Sequence, residues 1–277
     1  MQTALSDHHR HQYLKALGIP VWLERSHDDA EPTPIEVVKT KVAPTQATQH
    51  NLDAAAALLE DTPKTAEQLP KEHTPAKQSI TAIDCTHSNW SQLQSMVANC
   101  QHCPLHDSRH QAILSSGSYE ASCMILGDTP TELDDRQNQL FAAQPGQLLN
   151  NMLKAIGLDR HSVHITTMTK CRTPADRTAQ ANEQAQCRTY LERQIELIKP
   201  QAIFVMGRTA SQSLLQQTAS IAQLRGKIHQ LKLKNSTLTI PTIVSLHPRN
   251  LLRQPKNKAK AWQDLKQLAT LLKTDDD

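Results

Sequence analysis

Residues 121–127 read ASCMILG, an apolar run that ends at a glycine. So short a run, apolar on both faces, fits a strand covered on both sides. The pattern returns three times. QAIFVMG at 201–207 again runs apolar into glycine, VHITTM at 163–168 alternates and carries β-branched residues, and TIPTIVSLH at 239–247 is the fourth strand candidate. Helical patterns lie around and between them at 90–99, 147–156 (closed by Gly157), 179–198, 208–216 and 257–272. Strands alternating with helices predict an α/β fold whose parallel sheet is covered on both faces. Ligands of such sheets sit beyond the carboxyl ends of the strands. The segments to read for function are therefore GDTPTELDDRQNQLF, TKCRTPADR, GRTA and LHPRNLLR.

Outside this region the composition changes. Of the 7 glycines, only Gly18 falls outside residues 117–226. Residues 26–88 contain Pro32, Pro34, Pro44, Pro63, Pro70 and Pro75 but no glycine and no aromatic residue. Such a stretch buries too little surface to offset its ordering entropy and reads as a disordered linker. Before it, residues 1–25 hold a small apolar island with Tyr13, Leu17, Ile19 and Trp22. The island is too short to bury itself and reads as a partner-binding peptide anchored by Trp22. The predicted domain order is peptide 1–25, linker 26–88, α/β domain 89–273 and acidic tail 274–277.

The charge is divided in the same way. Residues 100–273 carry 22 Lys and Arg against 12 Asp and Glu, and residues 225–266 carry 10 basic residues against Asp264 alone. A basic domain on an acidic tether suits nucleic-acid binding, and a solvated helix face explains the charge equally well. No apolar run is long enough to span a membrane, and MQTALSDHHRHQ lacks the pattern of a secretory signal, so the expected location is cytoplasmic. In that compartment the 6 cysteines read as metal ligands or buried thiols before they read as disulfides. Cys100 and Cys103 form C-x2-C, Cys171 follows the second strand, and Cys187 lies on the next helix. Four such thiolates can hold zinc or an iron–sulfur cluster. Cys123 reads as a buried strand thiol, and Cys85 lies in the linker.

In order along the chain, CQHCPL, GDTP, FAAQPGQLL, TKCRTP, LRGKIH and LHPRNLLR resemble the uracil-DNA glycosylase superfamily over about residues 97–273, and most of all its family-4, iron–sulfur type. The resemblance implies a three-layer fold with a four-stranded parallel sheet. It implies a [4Fe–4S] cluster on Cys100, Cys103, Cys171 and Cys187. It also implies excision of a base flipped out of DNA, with Phe141 stacking on the base, His247 bonding the departing base and Asp128 serving the water or the developing positive charge. Arg249, Arg253, Lys256, Lys258 and Lys260 follow the last strand where DNA would lie. The sequence also departs from the family. Thr167 stands where the family reads the base with Asn, Asp128 replaces Glu, Thr131 replaces Gly, and Leu140 replaces the Pro before Phe141.

HRHQYLKALGIPVW is similar to the N-terminal peptide of the ψ subunit of bacterial DNA polymerase III. That resemblance implies two partners, the clamp loader and a χ-type subunit. Together the two resemblances point to a catalytically degenerate, ψ-type replisome scaffold. The alternatives are an active family-4-like uracil-DNA glycosylase with altered specificity and a DNA-binding module without excision.

Overall fold

The computed structural model describes residues 83–233 and 236–273. Tyr13, Leu17, Ile19, Trp22, most of the linker and the 274–277 tail lie outside the described residues. The chain runs through α1 (Trp90–Ala98), α2 (Leu105–Ser108), β1 (Ser116–Gly117), β2 (Cys123–Gly127), α3 (Glu132–Gln137) and α4 (Ala143–Lys154). It continues with β3 (His164–Thr167), α5 (Ala181–Ile198), β4 (Ala202–Met206), α6 (Arg208–Leu215) and α7 (Ile221–Leu224). It closes with β5 (Ile228–Lys232), β6 (Thr239–Ser245), α8 (Pro248–Arg253) and α9 (Lys258–Lys273).

The sheet order is β1-β3-β2-β4-β6-β5. The expected four parallel strands form its centre, with β3, β2, β4 and β6 side by side. Two edge strands absent from the sequence reading extend it, and both are antiparallel: β1 on β3 and β5 on β6. The sheet is therefore six-stranded and mixed among the described residues, not four-stranded. β2 and β4 are buried at every position, as apolar strands covered on both faces must be.

The alternation of side chains along these strands divides the core in two. Ile125, Ile165, Phe204 and Ile243 share one face and pack on Leu149 and Met152 of α4 and Leu265 and Leu268 of α9. Met124, Leu126, Ile203, Val205 and Val244 face the other way, onto Leu191 and Ile195 of α5 and Leu214 of α6. The register agrees, with Ile125 beside both Ile165 and Phe204, and Phe204 beside Ile243. These layers make the predicted three-layer α/β fold.

Polar links fix the layers to one another. Asp264 of α9, only 1% exposed, accepts from Ser245 Oγ at 2.7 Å and from Arg225 Nε at 2.8 Å. The last helix is thereby bonded to the end of β6. At the other end of the described chain, the composition boundary at residue 88 falls too late. Cys85 and Ser88 are buried, Cys85 packs with Leu93, Val97 and Tyr190, and its Sγ donates to Thr189 O at 3.4 Å. A polar, glycine-free stretch can still be ordered by a few apolar residues that reach a neighbouring helix.

Candidate active site and cysteine cluster

The parallel strands end along one rim, and the loops leaving them carry the predicted site residues. Gly127 closes β2 and leads to Asp128, Thr167 closes β3, Gly207 follows β4, and His247 lies two residues beyond β6. A cavity of about 480 Å³ opens on this rim, lined by Phe141, Thr167, His247, Arg249 and Arg253 among others. A smaller one of about 160 Å³ adjoins it, sharing His247, Arg249 and Arg253 and adding Asp128. Lys256 and Lys258 line neither cavity.

Phe141 and His247 are nearly parallel, with ring centroids 5.3 Å apart and planes inclined by 21°. Stacked rings are spaced by about 3.5 Å, so at this separation the two rings are offset sideways. The loop that presents Phe141 is held on both sides. Arg160 donates to Leu140 O, and the buried Asp134 accepts from Ala142 N at 2.6 Å and from Thr131 N at 2.8 Å. Phe141 itself takes the left-handed backbone region at φ 53°, a conformation that costs a non-glycine residue about 1–2 kcal/mol. The ring edge passes so close to Gly127 that a Cβ there would lie 2.7 Å from Phe141 Cζ. Glycine at the end of β2 is what gives the ring its seat.

His247 caps α8. Its Nδ1 accepts the Arg249 backbone N–H at 3.1 Å. An accepting Nδ1 places the ring proton of the neutral imidazole on Nε2. Burial, with Arg249 nearby, brings its pKa down to about 3. At neutral pH His247 is thus an uncharged donor through Nε2.

Asp128 lies across the start of α6. Its Oδ1 accepts from Ala210 N at 2.6 Å, and a Cβ on Gly207 would lie 2.3 Å from its Oδ2. Gly207, at φ 109°, combines a backbone turn that favours glycine with room for that carboxylate. Burial pushes the Asp128 pKa up to about 6, against the opposing pull of the Ala210 N–H, Arg249 and Arg208. Thr167 has committed its hydroxyl, which donates to Thr169 O at 2.8 Å. It presents to the pocket neither a second donor nor the bidentate edge of an amide.

The four cysteines of the sequence reading lie near one another. Cys103, Cys171 and Cys187 are buried and Cys100 is half-buried. Their thiols feel one another's charge: Cys171 and Cys100 act on Cys103, and Cys171 and Cys103 act on Cys187. Burial pushes Cys103 up to about 11 and Cys187 up to about 12. Arg109 Nη1 donates to Cys171 Sγ at 2.9 Å, and the backbone of Leu105 and of Lys170 favours the ionised forms of Cys103 and Cys187. Buried thiols whose ionised forms have such support suit a metal centre that accepts them as thiolates. Among the described residues, no three His, Cys, Asp or Glu side chains are arranged to hold a single metal ion.

Four charged groups that organise these sites had no local signal in the sequence. Asp134 sits in an acidic run that reads as a helix start, and Arg109, Arg160 and Lys170 look like ordinary surface charge. Their roles follow from tertiary packing, which buries Asp134 and Lys170 and half-buries Arg109 and Arg160.

Comparison with known proteins agrees with the fold. The sequence model of the uracil DNA glycosylase superfamily matches residues 114–266. The chain is 30% identical over 177 residues to a type-4 uracil-DNA glycosylase of Pyrobaculum aerophilum, covering 62% of this chain and 89% of that one. It is 31% identical over 180 residues to the type-4 uracil-DNA glycosylase of Thermotoga maritima, covering 64% and 91%. A DNA polymerase of Bacillus phage SP01 matches at 30% over 157 residues, 56% of this chain but 16% of that protein. These similarities favour the glycosylase reading of the domain over the clamp-loader reading, which rested on residues outside those described. With the family model matched over more than half its length, the chain belongs to the uracil DNA glycosylase superfamily.

Proposed function

We propose that the protein is a DNA glycosylase of the type-4 kind, which hydrolyses the bond between a flipped, uracil-like base and its deoxyribose. The observation that carries this reading is the offset, parallel pair of Phe141 and His247. A base stacked on Phe141 lies in a plane close to that of the imidazole. The Nε2–H then meets a base carbonyl oxygen within the plane of its lone pairs, where a hydrogen bond is best formed. As the bond to C1′ breaks, the base leaves with its electron pair and negative charge grows on that oxygen. A donor already aimed there stabilises the transition state more than the ground state. A neutral imidazole remains a donor throughout the neutral pH range.

Asp128 faces the smaller cavity beside His247. That cavity has room for water, and the ionised carboxylate takes the proton of the water that adds to C1′ while offsetting the positive charge on the sugar. Arg249 and Arg253, shared by both cavities, suit the flanking phosphates. Leu252, exposed on α8 between Arg249 and Arg253, is placed to fill the gap that a flipped base leaves in the stack. Cys100, Cys103, Cys171 and Cys187 would hold a [4Fe–4S] cluster. Bound there, the cluster would cross-link the α1–α2 turn, the loop after β3 and α5, and add negative charge to the interior.

Thr167 is the observation that favours a second reading, in which the fold binds DNA without excising a base. With its hydroxyl committed, the pocket lacks the bidentate edge that discriminates a base strongly. Single-turnover excision separates the two readings. Iron-loaded protein should release uracil from single- or double-stranded oligonucleotides, and His247→Ala should not. Salt-dependent DNA binding with no release by the loaded wild-type protein would establish the second reading and overturn the first.

A further inference from the structure

Lys170 is a buried cation that the chemistry above does not use. It is 1% exposed. Its Nζ donates to Thr166 Oγ1 at 2.6 Å and to Thr167 O at 2.8 Å. Burial works against its charge, and among the described residues no carboxylate pairs with it; the groups that favour the charge are the sulfurs of Cys187 and Cys171, once ionised. A buried ammonium without a counter-charge is costly, and hydroxyl and carbonyl acceptors satisfy its hydrogens without balancing its charge.

The same residue touches both sites. It directly precedes Cys171 in sequence, its carbonyl accepts Ile113 N at 2.8 Å, and its backbone favours the ionised form of Cys187. Its side chain, in turn, grips the carbonyl of Thr167, which lines the base pocket. From Thr167 the chain crosses back to β2, where Met168 N donates to Gly127 O at 2.9 Å and to Asp128 O at 3.0 Å.

We propose that Lys170 is a positioning residue that ties the cysteine quartet to the base pocket, with the negative charge of the metal centre as its counter-ion and the Thr167 carbonyl as its grip on the pocket wall. The proposal rests on the cluster assigned above. The quartet and the pocket then form one electrostatic unit, and the charge held by the sulfurs sets how firmly the end of β3 is placed.

The test uses the full chain, purified without oxygen, as wild type, Lys170→Met and Thr166→Val. Iron content, the reduction potential of the cluster and hydrogen exchange at the Met168 and Thr169 amides are measured. Lys170→Met should keep its iron, and its potential should move negative, because a lost positive charge makes an added electron less welcome. Exchange at the two amides should rise about tenfold or more, the weight of one charge-assisted hydrogen bond. Thr166→Val keeps the charge and removes one acceptor, so exchange should rise with a smaller change in potential. An unchanged potential, or unchanged exchange, in Lys170→Met overturns the proposal. Should Lys170→Met fail to fold, Thr166→Val decides alone, and wild-type exchange at both amides then overturns it. Wild-type protein without iron removes the cluster assignment itself, a result seen before any variant is made.

Discussion

Gly127→Ala tests the geometry of the base pocket. The added methyl would lie 2.7 Å from Phe141 Cζ, 3.2 Å from Cε2 and 3.4 Å from Thr167 Cγ2. Ordinary carbon contacts begin near 3.5 Å, so the ring edge must withdraw by about 0.8 Å. The loop gives the ring little freedom, because Arg160 holds Leu140 O and Asp134 holds Ala142 N. The ring face is stacked on His247. Overpacking of this kind costs about 1–3 kcal/mol, which lowers Tm by roughly 4–8 °C for a mid-range value in a domain of this size. A displacement near 1 Å at a reacting geometry lowers the rate on the order of a hundredfold. Gly157→Ala is the control. Nothing lies within 4 Å of its Cβ, but its φ of 81° strains any other residue. It should lose stability and keep excision. The assay pairs thermal unfolding with single-turnover excision of uracil. Gly127→Ala protein with wild-type Tm and wild-type excision would refute the assignment of Gly127 as the seat of Phe141.

Three further expectations follow from the buried groups. Burial raises Asp128 from 3.8 to about 6, so its contribution to stability is full below pH 3.8 and is lost as pH rises through 6; by pH 8 the loss is about 3 kcal/mol. Asp128→Asn should therefore be more stable than wild type at pH 8 and gain little at pH 4, while excision falls; a stability difference that does not vary with pH contradicts the burial argument. His247 is lowered from 6.5 to about 3, so its contribution is present above pH 6.5 and fades as pH falls toward 3. His247→Gln should flatten the acid limb of the stability curve and slow excision about 10²–10³-fold, the cost of one aimed donor; full activity would remove His247 from the chemistry. Cys171→Ala should yield protein without the broad absorbance of an iron–sulfur centre and with a lower Tm; protein carrying one zinc in place of iron would overturn the cluster assignment.

The parts of the fold visible in the sequence are those whose burial is one-dimensional. ASCMILG and QAIFVMG are covered on both faces, so every position is apolar and the strands stand out. β5 is an edge strand whose residues are mostly exposed, with Leu231 alone fully buried, so IHQLK carries no strand pattern. β1 is two residues long and exists only because β3 offers it a partner. The site divides the same way. Phe141, His247, Asp128 and Thr167 were legible because they follow strand ends in a resembling order, and the rim does bring Phe141, His247 and Thr167 into one pocket. Asp128 was expected there as well but lies in the adjoining cavity, drawn aside by the N–H of Ala210. Asp134 and Lys170 could not be read ahead, because nothing local distinguishes a charge that will be buried from one that stays in water.

The bond between Asp264 and Ser245 has a bearing on how the protein is made. β6 delivers His247, yet the group that holds the end of β6 belongs to the final helix. A nascent chain that has emerged from the ribosome only as far as α8 has its whole rim in sequence. It still carries an unpaired Arg225 and the open apolar face that α9 will cover with Leu265 and Leu268. Domains fold as units behind synthesis, and the end of β6 gains its bond to Asp264 only when α9 arrives. A translation product cut short before residue 264 would bear every residue of the pocket but not the carboxylate that ties the end of β6 to the helix behind it.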